Sequence, residues 1–299
     1  METQTKTIIK HLVIPGGGPT GIKALGALQY LEQNGYWDIN NIETIYATSA
    51  GAILSVLLCL KFEWDTINDY IIKRPWHEVF PVTVNQVFEA YAKKGLFDKT
   101  LSEIFYKPFL DAKDIPINLT MQDLFDYSNI ELHIFSLELN SFEIVDISYK
   151  THPDLSLLTA VHMSSALPVL ISPVCIDDKC YIDGGVVCNY PLKYCIERAE
   201  NIHDIFGLRN EYTKTELNKV NNKSTILEYL MICINKLVNN ASLKFKPTII
   251  PNELVLVYEA DLMNLTNIQE TLMLQEVRKG LVDSGIKSAM NFLENKIVL

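Results

Sequence analysis

Apolar residues near the start of the chain recur in two rhythms. Residues 8–14 form a short β-branched run closed by Pro15 and a string of glycines, the pattern of a strand. Residues 22–34 then place Ile22, Leu25, Ala27, Leu28 and Leu31 at helical spacing, and Gly35 ends the run. A second β-branched run, 42–47, leads through Ser49 into an apolar helical stretch at 50–60. Strand, loop, helix, strand, helix is the order of a parallel sheet with crossover helices. The expected fold class is α/β: a mainly parallel central sheet with helices on both faces.

The pattern changes over residues 62–130. Trp64, Trp76, Phe80, Phe88, Tyr91, Phe97, Phe105, Tyr106 and Phe109 are interrupted there by Pro75, Pro81, Pro108 and Pro116. Mixed helices and loops covering one face of the sheet are expected. Most of these aromatics read as packing, with a share open to a lid or an acyl-chain pocket. Strand pairs follow at 131–137 with 142–147, and at 174–176 with 180–182 around a polar turn at 177–179. Helices are predicted at 156–165 and 192–199, and a strand at 203–208. Residues 209–224 read as a polar, mobile loop. Amphipathic helices at 226–238 and 271–292 flank a strand at 254–258. The chain is expected to be a single domain, residues 1–299, with a catalytic core at about 8–210, a helical aromatic insertion at about 62–130 and a C-terminal extension at about 225–299.

Charge and cysteine usage narrow the partners. A net charge of −10 argues against a nucleic-acid binder, which needs a basic face to neutralise phosphates. Cys59, Cys175, Cys180, Cys188, Cys195 and Cys233 include no Cys-x-x-Cys pair and no zinc-finger spacing, so a reduced chain is expected. The polar first ten residues lack a signal-peptide apolar region. The apolar run at 50–60 is shorter than the roughly 20 residues a bilayer span requires. These features point to a cytoplasmic location with peripheral membrane contact, and make the sequons at Asn118, Asn222, Asn240 and Asn264 chance matches.

The chemistry gathers at three places. Ser49 stands between a strand and a helix among Ala47, Ala50 and Gly51, an elbow that exposes a serine hydroxyl over a helix N-terminus. A buried N-cap serine is the plain alternative. Gly16, Gly17, Gly18 and Gly21 lie between the first strand and its helix. They satisfy a dinucleotide fingerprint, but the acidic residue needed at the end of the second strand is missing. Such a loop serves equally as an oxyanion hole, its main-chain N–H groups converging on a developing negative charge. Asp183, followed by Gly184 and Gly185, closes a strand and is the best candidate base for Ser49, an ordinary Asp-Gly turn being the competing reading. None of His11, His77, His133, His152, His162 and His203 sits in a strong local motif.

Taken together, these segments resemble the patatin-like phospholipases. Residues 16–21 are similar to that family's oxyanion loop, 47–51 to its nucleophile elbow, and Asp183-Gly184-Gly185 to its Asp-Gly-Gly/Ala motif. Ser164-Ser165-Ala166-Leu167-Pro168 resembles the Ser-Ala-x-Pro stretch before that aspartate, and Asn189-Tyr190-Pro191 the Asn-x-Pro after it. The resemblance implies a three-layer α/β/α fold and hydrolysis of phospholipid or other acyl-lipid esters at a membrane surface. It also implies a Ser49–Asp183 dyad with no catalytic histidine, no metal and no cofactor. Two positions depart from the pattern: Ala47 replaces the first elbow glycine, and Thr20 stands where the family often has Arg or Lys. Three rivals stay open at this point. They are an α/β-hydrolase triad using His203, a flavin- or nicotinamide-dependent oxidoreductase using the glycine loop, and a non-catalytic lipid-binding or structural protein.

Overall fold

A computed structural model describes residues 8–81, 83–213, 219–242, 248–259 and 265–297. The opening order is as expected: β1 (His11–Ile14), α1 (Ile22–Gln33), β2 (Thr44–Thr48) and α2 (Ala50–Cys59). The aromatic stretch forms α3 (Trp64–Lys73), α4 (Trp76–Val79), α5 (Val84–Lys93), β3 (Gly95–Phe97), α6 (Thr100–Asp111) and α7 (Met121–Ser128). Then come β4 (Glu131–Glu138), β5 (Glu143–Ile147), α8 (Leu157–Ser165), β6 (Val169–Ile171), β7 (Val174–Ile176) and β8 (Lys179–Asp183). The chain continues through α9 (Leu192–Ile196), β9 (Ile205–Tyr212), α10 (Ile226–Ser242), β10 (Glu253–Tyr258), α11 (Leu265–Met273) and α12 (Gln275–Ile297).

Among the described residues the main sheet runs β10-β9-β1-β2-β4-β8-β7, with β5 also on β4. Pairings from β10 to β4 are parallel, and those of β5, β8 and β7 antiparallel. Alternation along the central strands divides their side chains between two cores. Leu12, Ile14, Ile45, Ala47, Leu132 and Ile134 face the larger core with α1 and α2. Val13, Tyr46 and Phe135 face a smaller one, closed by Leu192 and Cys195 of α9. The three layers are therefore unequal, and the second is thin.

The C-terminal segment is fastened to α1 through glycines. A side chain at Gly26 would strike the backbone of Val282, and one at Gly285 the backbone of Lys23, so only glycine lets α1 and α12 approach this closely.

Several boundaries differ from the expectations. β9 runs to Tyr212, four residues past the predicted end, because Leu208 to Tyr212 pair with Leu254 to Tyr258 of β10. Arg209 looks like loop composition, yet its Nε donates to Glu253 Oε2 at 2.8 Å across that ladder. Part of the predicted mobile loop, 214–218, lies outside the described residues. The single helix expected at 271–292 is two, α11 and α12, with Leu274 between them. β3 and β6, parallel partners in a separate two-stranded sheet, were not expected from their three-residue runs. The expectation of fully reduced cysteines is also corrected. Cys175 and Cys180 face each other in the β7–β8 register and are disulfide-bonded, since the turn between them places them side by side.

Candidate active site

Ser49 occupies the turn between β2 and α2 with φ 55° and ψ −125°, a left-handed φ that costs a non-glycine residue on the order of 1–3 kcal/mol. The surroundings hold it there. Its N–H donates to Ser164 Oγ at 2.9 Å, and that hydroxyl donates to Phe135 O at 2.6 Å. The bend also crowds main chains: a side chain at Gly16 would come within 2.9 Å of Ser49 Cβ, and one at Gly51 within 2.6 Å of Pro15 O. Ala47 needs no such exemption. It is buried within β2, pairs Ile14 and Ile134, and is not among the residues of positive φ.

Asp183 reaches Ser49 because β2 and β8 lie end to end along one edge of β4. Thr48 pairs Phe135 and Asp183 pairs the next residue, Ser136, while β5 takes the opposite edge. Thr48 and Asp183 thus sit at successive steps of one strand, and Ser49, 134 residues from Asp183 in sequence, directly follows Thr48. Ser49 Oγ donates to Asp183 Oδ2 at 2.7 Å. The other carboxylate oxygen accepts the Gly185 N–H at 2.7 Å, so the Asp-Gly turn exists and orients the acid. Asp183 is 5% exposed, and burial pushes its carboxyl up to about 6 against the opposing effect of the Ser49 and Gly185 hydrogen bonds.

The glycine loop lies beside the pair and leads through a 3-10 turn, Gly18–Gly21, into α1. Gly16 N–H donates to Asn189 O at 3.2 Å and Gly21 N–H to Gly17 O at 3.1 Å, which occupies those two amides. Gly16 O accepts from Asn189 Nδ2 at 3.1 Å and from Asn210 Nδ2 at 2.9 Å. Thr20 Oγ1 donates to Gly17 O at 2.8 Å. Lys23 turns away, with Nζ donating to Val257 O.

Ser49, Asp183, Gly17 and Gly18 open into a cavity of about 270 Å³. Its walls are apolar: Ile53 and Leu54 of α2, Trp76, Phe80, Phe97 and Phe105 of the aromatic stretch, and Ile268 of α11. Part of the predicted packing layer is therefore cavity wall. Among the described residues no histidine hydrogen-bonds to Ser49 or Asp183. His203 precedes β9, at the end of the sheet opposite the elbow, so the triad reading is corrected by topology. No group of three or more His, Cys, Asp or Glu able to hold a metal occurs among the described residues. Among them, too, no helix is long and apolar enough to cross a membrane.

A sequence profile of the patatin-like phospholipases matches residues 12–196, which include the elbow, the glycine loop and Asp183. The chain belongs to this family. It is 26% identical over 193 residues to a probable lipid hydrolase, 463L, of Invertebrate iridescent virus 6, the match covering 63% of each protein. It is 28% identical over 186 residues to an uncharacterized protein of Acanthamoeba polyphaga mimivirus, covering 62% of this chain and 60% of that one. The matches thus span less than two thirds of either relative. The fold is similar to VipD from Legionella pneumophila, with a TM-score of 0.57 at 16% identity, over 96% of this chain and 67% of that one. The patatin-like match stops short of β9 and β10, so Asn210 lies beyond it. Sequence reasoning missed Asn210 because it sits in a polar stretch without spacing or motif. It also named Ser164 only as part of a stretch, since nothing local says where that hydroxyl points.

Proposed function

We propose that this chain is a lipid acyl hydrolase that cleaves carboxylic esters of phospholipids or related acyl lipids through a Ser49–Asp183 dyad. The observation that carries the reading is the 2.7 Å hydrogen bond from Ser49 to a buried carboxylate at the base of an apolar cavity. Asp183 takes the Ser49 proton as Oγ bonds to the ester carbonyl carbon. The carbonyl oxygen becomes negative and is held by the N–H groups of Gly17, Gly18 and Ala50, while Gly16 and Gly21 shape the loop. Pro19 has no N–H to offer. The intermediate collapses, and the departing alcohol takes the proton from Asp183. Water then gives a proton to Asp183 and its oxygen bonds to the acyl carbon. The fatty acid leaves and Ser49 regains its proton.

A raised carboxyl favours this role, because a base is more effective when its pKa lies near working pH. The apolar walls suit an acyl chain. Contact with a membrane surface belongs to the same reading: Phe88 and Tyr91 of α5 are 76% and 95% exposed, between the cavity residues Phe80 and Phe97. We treat the chain as one patatin-like domain; the Cys175–Cys180 disulfide removes the reduced-cysteine ground for a cytoplasmic location. The test is hydrolysis of a long-chain ester by the wild type, Ser49→Ala and Asp183→Asn. Both variants are expected to lose activity, and near-wild-type turnover by either one overturns the dyad.

A further inference from the structure

We infer that Asn210 and Thr20 are positioning residues of this site, locking the two peptide planes that aim the Gly17 and Gly18 N–H groups; this rests on the proposed ester cleavage. In a trans peptide the N–H points opposite to the carbonyl of the preceding residue. No cis peptide occurs among the described residues. Whatever holds the Gly16 carbonyl therefore sets the direction of the Gly17 N–H, and whatever holds the Gly17 carbonyl sets that of the Gly18 N–H.

Each carbonyl has two donors on it. Gly16 O takes the side-chain amides of Asn210 and Asn189, at 2.9 and 3.1 Å. Gly17 O takes the Thr20 hydroxyl at 2.8 Å and the Gly21 N–H at 3.1 Å. Such clamping matters at glycine, which no Cβ confines to one orientation. Gly18 has φ +52° and, among the described residues, nothing within 4 Å of where its Cβ would be, so none of them holds the plane before it by sterics. Hydrogen bonds must do so.

Asn210 reaches the loop by register. β1 and β9 run parallel with His11 opposite Ile205 and Val13 opposite Gly207. Continuing that register past the end of β1 sets Asn210 beside Gly16. The extension of β9 beyond its predicted end is what delivers this side chain. A carbonyl can only accept, so the amide nitrogen of Asn210 must face Gly16. Thr20 carries no charge, so what it contributes is orientation.

The experiment compares Asn210→Asp, Thr20→Val and Thr20→Ser with wild type on a soluble ester, p-nitrophenyl butyrate. Asn210→Asp keeps the shape and replaces the donor with an oxygen that repels Gly16 O. Thr20→Val keeps the shape and removes the hydroxyl. Removing an oxyanion donor outright costs on the order of 100–1,000-fold in kcat, and a misaimed one is expected to cost about 10–100-fold, with KM changed less than about two-fold. Thr20→Ser is expected to restore most of the kcat lost in Thr20→Val. Affinity for a trifluoromethyl ketone, whose adduct with Ser49 bears the same oxyanion, is expected to fall in step with kcat.

Wild-type kcat in both Asn210→Asp and Thr20→Val overturns the inference. So does a loss that follows a drop in melting temperature and leaves the ratio of kcat to ketone affinity free to vary. Ser49→Ala separates the two proposals. If it is inactive while Asn210→Asp and Thr20→Val turn over normally, the positioning roles fall and the dyad stands. If it remains active, the dyad itself falls.

Discussion

The Asp183 carboxyl stabilises the fold only while it holds a proton. Its ordinary value is 3.8, and burial raises it to about 6 in the folded chain. A group raised on folding contributes stability that is complete below the unfolded value and is lost as pH rises through the folded one. Ionised Asp183 therefore costs the fold about 3 kcal/mol above pH 6 relative to pH below 4. Asp183→Asn should remove that cost. Its amide can accept the Gly185 N–H and donate to the Ser49 hydroxyl, so both partners stay satisfied. Urea unfolding at pH 8 is expected to find the variant more stable by up to about 3 kcal/mol, with the gap closing toward pH 4. Turnover by the wild type should move oppositely, rising about tenfold per pH unit up to about 6 and then levelling. A variant no more stable than wild type at pH 8 would contradict the buried, strained charge. Ser164 makes a second case. Ser164→Ala leaves the buried Ser49 N–H without its acceptor, at a cost on the order of 1–3 kcal/mol, at the residue whose backbone is already strained. We expect kcat to fall about 10–100-fold, and unchanged kcat would show that the elbow holds without it.

Elements explain why some of this was legible in sequence. Ser49 and the glycine loop announced themselves because strand, bend and helix follow each other locally, with alternation and helical spacing on either side. Asp183 could be nominated from its strand-ending Asp-Gly-Gly, but its distance from Ser49 depends on β4 pairing both β2 and β8, which no local pattern encodes. The strand expected at 203–208 stops short of β9's end because Arg209, Asn210 and Glu211 look like loop residues until β10 pairs with them. β3 and β6 are too short for any periodicity. The helix α5 carries a prediction of its own. Phe88 and Tyr91 stand three residues apart, on one face by helical spacing, and both are exposed. The helix follows Phe80 and precedes Phe97, both in the cavity wall. If this face meets lipid, Phe88→Ser with Tyr91→Ser should lower hydrolysis of phospholipid vesicles several-fold and leave turnover of a soluble short-chain ester as it was. Equal loss on both substrates would instead mean that α5 supports the cavity itself. Equal activity on both would remove lipid contact from α5.

At the scale of the whole molecule, the cavity is assembled from stretches far apart in the chain, and Arg278 ties two of them together. It stands in the first turn of α12, buried, and among the described residues no carboxylate hydrogen-bonds to it. Its guanidinium donates to the carbonyls of Ile72 in the last turn of α3 and Arg74 just after it, and to those of Thr271 and Leu272 at the end of α11. Those helix ends would otherwise bury unsatisfied carbonyls, and their negative dipole ends suit a cation. Burial lowers the Arg278 pKa from its usual value, but arginine keeps its proton through any working pH. Ile71, Thr271 and Leu272 line the cavity, so the clamp sets the spacing of one of its walls. Arg278→Met would fill the space and leave several carbonyls without donors, at about 3 kcal/mol or more in total. Arg278→Lys keeps the charge but presents its donors from one point, which cannot span both helix ends as a planar fork does. Both variants are therefore expected to unfold at lower denaturant and to exchange amide hydrogens faster at residues 70–76 and 268–274. Their kcat/KM for long-chain esters should fall more than for short ones, because the longer chain reaches further along the apolar wall. A lysine variant matching wild type in both respects would mean that charge alone, and not the two-ended bridge, holds the wall in place.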